Sequence, residues 1–521
     1  MKNSLLAFAT ILCLFVSGHD TALAQITPIP HLQKRGTATQ LMVDNKPFII
    51  LGGELGNSTA SSLHELDTVF HKLRLMNLNT VLTPAYWELI EPMEGQFNFT
   101  SIDAAITAAR ANDLKIVFLW FGAWKNSMSC YAPLWVKENY LKYPRAVTKA
   151  GRPLEIMSAF SENNLEADKR AFTALMRHLA ETDAQRHTVI MVQVENEIGM
   201  IEDARDYSEE ANRLFLSPIP KQLITYLSKH EKTLRPSLRE RWHANGSKTK
   251  GTWMEVFGEG LETDELFMAW HYGLFIEELS AAGKKEYSLP MYLNAALNSR
   301  GRKPGAYPSA GPLAHLLDIW RAAAPSVDFI APDIYDPGFT DWCSQYQVDG
   351  NPLFIPEIRL SDDNAAKVFY AFGAHEAIGF SPFSIEDAPK AADNPLAKSY
   401  GTLRQLLPLL AEKQGKGESG GFWFDGEHTA DTIQMGNLLL VGRHVHSYGW
   451  DSQSKDGSRW PEAGGIIIRL SDTEFLVAGT GLAITFANVR TDKMLTGIGY
   501  IDKITFDKNK MILLRRMNGD Q

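Results

Sequence analysis

The chain has 521 residues, of which 45% are hydrophobic and 22% charged, and a formal net charge of -9. That composition suits one large globular domain plus a smaller one. The negative balance excludes nucleic acid and anionic membrane as natural partners and is compatible with a neutral carbohydrate.

The N-terminus reads as an address. Lys2, the apolar run Leu5 to Val16 and the small-x-small site Ala22-Leu23-Ala24 predict a signal peptide over residues 1–24. Cleavage near Ala24 would give a secreted or periplasmic protein. The apolar run is too short to span a bilayer comfortably, and no later segment is long and apolar enough, so no membrane span is expected. Cys130 and Cys343 then remain, with no spacing that argues for a disulfide.

Leu41 to Ile50 reads as a hairpin feeding a strand. The strand candidates that follow are Phe48 to Gly53, Thr80 to Pro84, Ile116 to Phe121, Val189 to Glu195, Met291 to Leu297, Phe329 to Ile334, Leu353 to Glu357 and Ile378 to Phe383. Helical patterns such as Leu63 to Met76, Ile102 to Ala111 and Lys169 to Thr182 lie between them. This alternation predicts an α/β fold, a (β/α)8 TIM barrel over residues 25–413. A doubly wound sheet would want a phosphate turn after its first strand, and Gly52-Gly53-Glu54-Leu55-Gly56 is not GxGxxG. Two long insertions, Trp124 to Glu166 and Gly199 to Tyr287, follow the third and fourth strands, on the catalytic face of such a barrel. Leu396 to Glu412 reads as the closing helix. The stretch 414–421, rich in glycine, reads as a linker. Beyond it the apolar period changes to two, which predicts a small all-β, sandwich-like domain over residues 422–521.

The chemistry concentrates at strand ends. Val189 to Val194 is an apolar run that stops at Glu195-Asn196-Glu197. Alternation puts Gln193, Glu195 and Glu197 on one face, with Glu197 at the barrel mouth and Glu195 one layer deeper in a buried polar network. A second short apolar strand ends in Glu357. Paired carboxyl groups across a barrel mouth are the apparatus of glycoside hydrolysis.

Gln193-Val194-Glu195-Asn196-Glu197-Ile198-Gly199 resembles the acid/base signature of glycoside hydrolase family 35 β-galactosidases. Trp87-Glu88-Leu89-Ile90-Glu91-Pro92-Met93-Glu94-Gly95 resembles the strand-two motif of the same enzymes. The wider clan of retaining (β/α)8 glycosidases, family 42 β-galactosidases included, shares the Asn-Glu pair and the strand-seven Glu. The resemblance implies Glu197 as acid/base, Glu357 as nucleophile, Asn196 on the sugar 2-hydroxyl and Tyr335 against the nucleophile. Tyr86, Trp87 and Trp124 fall where aromatic rings could cover the C–H faces of a sugar, with core packing as the competing reading. Glu54 and Glu386 could bind hydroxyls. Glu54 stands where family 35 has Ser-Gly-x-x-His-Tyr. On strand three the family carries Ala-Glu-Trp, while this chain has Gly122-Ala123-Trp124, so a galactose-contacting Glu is missing.

His444-Val445-His446 lacks a third ligand and reads as a packed pair, so no metal is expected. Two carboxylates suffice, so no cofactor is implied, and no feature sets an oligomeric state. The leading expectation is an exported β-galactosidase. The alternatives are a clan relative acting on a mannoside, glucoside or arabinoside, and a non-catalytic carbohydrate-binding barrel.

Overall fold

A computed structural model describes residues 28–489, 496–507 and 510–517. The predicted signal peptide, 1–24, lies outside the described residues. The barrel strands are β1 (Ile50–Leu51), β2 (Thr80–Tyr86), β3 (Lys115–Phe121), β4 (Val189–Gln193), β5 (Met291–Ala295), β6 (Phe329–Ile334), β7 (Phe354–Ile358) and β8 (Gly379–Pro382). They form one sheet of eight strands in the order β1-β8-β7-β6-β5-β4-β3-β2. The ladders are parallel. Leu82 N–H donates to Gly53 O at 2.9 Å and Leu55 N–H to Leu82 O at 3.0 Å, which closes the ring between β1 and β2. Strands covered on both faces need apolar residues on both faces, and β2, β4, β6 and β7 are buried throughout.

A helix follows each strand: α1 (Leu66–Leu75), α2 (Thr100–Ala111), α3 (Glu162–Asp183), α4 (Leu261–Glu286), α5 (Leu317–Ala323), α6 (Phe339–Tyr346), α7 (Asn364–Ala374) and α8 (Pro395–Lys413). Local chemistry sets several starts. The Ser161 hydroxyl accepts from Asn164 N–H to cap α3, and Asn394 caps α8 with Pro395 in its first turn.

The first predicted strand divides. Lys46–Phe48 belongs to an antiparallel sheet with His31–Arg35 and Ala38–Val43, and only Ile50–Leu51 joins the barrel. The antiparallel sheet packs under the end opposite the chemistry. Its turn residue Asp44 pairs with His187 at 2.7 Å, just before β4 begins. The second insertion holds four short helices, Glu209–Phe215, Lys221–His230, Pro236–Ala244 and Trp253–Phe257, before α4.

Beyond the barrel come β9 (Ser419–Phe424), β10 (Ala430–Met435), β11 (Leu438–His444), β12 (Ala463–Arg469), β13 (Phe475–Thr480) and β14 (Leu482–Asn488). They form two antiparallel sheets, β9-β12-β13 and β10-β11-β14, around Phe422, Phe424, Met435, Leu440, Ala463 and Ile467. A separate hairpin joins β15 (Ile501–Asp507) to β16 (Lys510–Met517). The predicted linker at 414–421 needs correction. Ser419, Gly420 and Gly421 pair with Ile468, Ile467 and Ile466 as the first half of β9. These glycines let α7 lie directly on the sheet. A Cβ at Gly421 would stand 2.7 Å from Ala374 N, and one at Gly464 would stand 2.2 Å from Ala366 O. Ile466, Ile468 and Leu476 accordingly belong to the main core.

Candidate active site

Strand β4 stops at Gln193, earlier than the alternation predicts. Glu195 and Glu197 both take left-handed backbone angles, φ 60 and φ 46. Such conformations cost a non-glycine residue on the order of 1 kcal/mol or more each, and they cluster at functional sites. The period-two argument therefore fails past Gln193, and the two glutamates point to different places. Glu195 accepts from Trp124 N–H at 2.6 Å and Ala123 N–H at 3.2 Å. Asp168, on α3, accepts from Trp120 Nε1 at 2.9 Å and also from Ala123 N–H. The two carboxyl groups are fully buried side by side. Burial and the neighbouring acid hold Glu195 well above the usual carboxylate range, and burial pushes Asp168 up to about 6. Gly122 is required at the turn, because a Cβ there would lie 2.2 Å from Trp120 Nε1 and 2.5 Å from Glu195 Oε1. This network sets the loop after β3, whose Trp124 O accepts from Asn196 N–H at 3.2 Å.

Glu197 faces the barrel mouth. Its N–H donates to Asn294 Oδ1 at 2.9 Å, and its carbonyl accepts from Ser127 N–H at 3.1 Å. Asn294 Nδ2 in turn donates to Asp333 at 2.5 Å. Carboxylate oxygens of Glu197, Asp333 and Glu357 all lie within 4.8 Å of one another. Glu357 ends β7, with one oxygen accepting from the Tyr335 hydroxyl and the other buried without a partner among the described residues. The Arg359 guanidinium lies 5.3 Å from the Tyr335 ring centroid.

Within 4.8 Å of one another, two unit charges repel by at least about 3 kcal/mol at an effective dielectric constant of about 20, so both glutamates cannot ionise cheaply. Burial, then the charge of Glu357, pushes Glu197 up to about 7. Burial and the same charge raise Asp333 and Glu54 well above their ordinary values. Lys125, 3% exposed, opposes this by lowering all three. Its amine donates to Asn126 Oδ1 at 2.5 Å and sits 5.0 Å from the Phe121 ring centroid.

The predicted binding residues divide. Asn196 is fully buried, with neither amide atom partnered among the described residues, as a group awaiting a substrate hydroxyl would be. Glu54, at the end of β1, likewise has both oxygens unpartnered and lies beside Glu357. Tyr86 stacks on Tyr131 at 5.5 Å with a buried, unpartnered hydroxyl.

Two residues need correction. Trp124 is wholly buried against Tyr272 and Phe275 and donates to Met157 O at 3.2 Å. Trp87 is wholly buried, edge-on to Trp135, and donates to Glu91 at 3.0 Å. Both are core, because strand-end aromatics here meet the insertions instead of the mouth. Glu386 binds Gly56 N–H at 2.8 Å and the Thr59 hydroxyl, tying the loop after β8 to the loop after β1. The Glu88–Glu91 pair is structural, with Glu91 bridging Trp87, Gly95 N–H and Arg170.

Lys125, Asn294 and Asp333 were not singled out as site residues from sequence. Asp333 had a signal: it lies two residues before Tyr335 on β6, an inward-facing acid in an apolar strand. Cys130 and Cys343 are both free, one exposed and one buried. His444 and His446 stack beside Trp460, bonded to Pro461 O and Asp451, as a packed pair.

Residues 61–258 match the family model described as Glyco_hydro_42, Beta-galactosidase, and residues 396–521 match a Domain of unknown function (DUF5597). A curated β-galactosidase from Xanthomonas manihotis is 27% identical over 189 residues, 34% of this chain and 28% of that protein. The chain thus aligns with under a third of this relative. Solved structures similar in shape include the β-galactosidase of Marinomonas ef1, at TM-score 0.47 and 15% identity, covering 70% of this chain and 60% of that one. The β-mannanase of the blue mussel Mytilus edulis aligns at TM-score 0.41 and 14% identity, covering 72% of this chain and 96% of that one. Over residues 61–258, the chain is similar to the β-galactosidases of glycoside hydrolase family 42.

Proposed function

We propose that the protein is an exported retaining β-glycosidase that removes terminal β-linked galactose from oligo- or polysaccharides. The observation that carries this reading is the pair Glu197 and Glu357, on opposite strand ends with oxygens within 4.8 Å. An inverting pair needs room for water, roughly 6.5–9.5 Å, whereas a retaining pair stands about 5–5.5 Å apart.

In the reaction, ionised Glu357 attacks the anomeric carbon while Glu197 gives its proton to the leaving oxygen. The C–O bond to the aglycone breaks as the glycosyl ester forms. Esterification removes the Glu357 charge that helps hold the Glu197 proton. Glu197, now a carboxylate, takes a proton from water, whose oxygen displaces Glu357 with a second inversion. Tyr335, donating to Glu357, holds the attacking carboxylate in place. Asn196 offers its free amide to a sugar hydroxyl.

Galactose is supported by the match over residues 61–258 and by the motifs around Glu197 and Trp87. Lys125, whose charge acts on Glu54, Glu197 and Asp333, and Glu54 with its unpartnered carboxyl oxygens would help select the hydroxyl pattern. Export is supported by the pattern of residues 1–24. The test is proton NMR of the first sugar released from aryl β-galactoside, alongside aryl mannoside, glucoside and arabinoside. First-formed β-galactose supports the proposal; first-formed α-sugar refutes retention. Faster cleavage of another glycoside would refute the sugar, and cleavage of none would refute the enzyme.

A further inference from the structure

Of the chain's 12 tryptophans, only Trp450 is largely exposed, at 81%. It lies in the domain of unknown function, in the long connection between β11 and β12. Its ring stacks on Tyr448, with centroids 4.5 Å apart and planes at 17°. Gly449 between them has φ 70, a turn that brings side chains two apart onto one side. The outcome is a flat aromatic surface presented to solvent.

The connection is not a loose loop. His446 bonds Asp451 at 2.7 Å, Asp451 accepts from Ser454 N–H at 2.9 Å, and Trp460 Nε1 donates to Gln453 O at 3.1 Å. It is also fastened to the barrel. Arg459 pairs with Asp363 at 3.1 Å, Glu462 N–H donates to Asp363 at 3.4 Å, and Lys367 pairs with Glu462 at 3.1 Å. Asp363 immediately precedes α7, in the loop leaving the β7 strand that carries Glu357. That loop lies on the catalytic face. The end of this braced connection nearest β12 is therefore held beside the loop that leaves β7 on the face where the two glutamates open.

Tyr448 is half-buried and covers one face of Trp450, whose other side is open to water. A pyranose offers an apolar C–H face that such rings cover, and its hydroxyls find partners in the exposed Ser452 and Gln453 alongside. A substrate longer than one sugar must leave the barrel mouth past the loops that follow the strands, the loop after β7 among them. We propose that Tyr448 and Trp450 form a carbohydrate-binding platform that holds a β-linked glycan chain beyond the residue being cleaved. The proposal rests on the glycosidase reading for its placement, and its test separates the two.

The full chain carrying Glu357→Gln, which should not turn over, is run in native gels containing soluble β-1,4-galactan or galactosylated xyloglucan. One of these polymers should retard it. Adding Trp450→Ala should weaken that binding by roughly tenfold, the size of one aromatic contact in a binding site, and Trp450→Phe should restore most of it. In the active chain, Trp450→Ala should leave kcat/KM on an aryl β-galactoside within about twofold while raising KM on the polymer. Retardation by neither polymer, or retardation unchanged by Trp450→Ala, overturns the platform. A change in sedimentation with unchanged retardation would instead assign the rings to a protein interface and also overturn it. Polymer binding lost in Trp450→Ala, with no glycoside cleaved by the active chain, would keep the platform and refute the enzyme.

Discussion

Glu197→Gln should make the protein more stable above neutral pH while it cripples the enzyme. The Glu197 carboxyl has an ordinary value near 4.5 and is pushed up to about 7 by burial and by Glu357. The unfolded chain thus loses this proton near pH 4.5, and the folded protein keeps it until near 7. Between those values the folded state binds more protons than the unfolded state, so stability falls as pH rises. The loss saturates above about 7, at roughly 3 kcal/mol for a shift of this size. Gln keeps the shape and cannot ionise, so the penalty vanishes. The difference in Tm between Glu197→Gln and the parent should be near zero at pH 4, grow through pH 6 and level off above about pH 7.5, at a few degrees. Glu54, Asp333 and Glu195 are present in both proteins, so the subtraction removes most of their contribution. A Tm difference independent of pH would refute the reasoning. The same proton sets activity: kcat/KM of the parent should fall on the alkaline side near pH 7, and kcat of the variant on a poor leaving group should drop about 10²- to 10⁴-fold.

Glu357→Ala should be inactive toward aryl and natural glycosides, and azide should restore turnover with an α-glycosyl azide as product; a β-azide would exchange the roles of the two glutamates. Tyr335→Phe removes the donor to Glu357 and should lower kcat about 10- to 100-fold with an unchanged fold by circular dichroism, the cost of one hydrogen bond to a charged group. Trp124→Ala should destabilise by about 3–5 kcal/mol in denaturant titration, because the ring is core. If it instead left stability intact and raised KM, the ring would be a substrate contact after all.

The barrel was legible because its strands are short continuous apolar runs and its helices carry the longer period. Phe329–Ile334 is reproduced residue for residue, and the largest discrepancy, the first strand, arose where a hairpin strand and a barrel strand follow one another with one residue between. Both glutamates were legible because each closely follows a short apolar run, Glu357 within β7 and Glu197 just beyond the end of β4. The surrounding shell was harder to read. Trp87 and Trp124 sit at strand ends like the glutamates, but whether an aromatic ring turns to the mouth or to an insertion is decided by Trp135, Tyr272 and Phe275, which are distant in sequence. Lys125 carries no signal in the sequence, because it follows the apparent end of the strand-three motif. It reaches the acids only because Glu195 and Asp168 fix the turn before it. The alternation that placed Glu195 beneath Glu197 assumed extended backbone, and two left-handed residues break that assumption.

The boundary at 414–421 shows why glycine composition is ambiguous. Glycine in a linker gives freedom; glycine in a strand permits contact. Gly415 and Gly417 have left-handed φ and make the turn, whereas Gly420 and Gly421 are in β9. A Cβ added at Gly373 on α7 would lie 2.3 Å from Gly420 O, so helix and sheet touch backbone to backbone. Such an interface does not hinge. Truncation after residue 413 would uncover the face of α7 that carries Ala366, Tyr370 and Ala374, and the barrel alone should lose stability or aggregate. Gly464→Val tests the same contact without deletion. Its side chain would meet Ala366 O, and the two parts should then unfold separately in calorimetry, where the parent should give one transition. A single transition at the parent temperature would mean that the added bulk at residue 464 leaves sheet and α7 together, and would refute this reading of the contact.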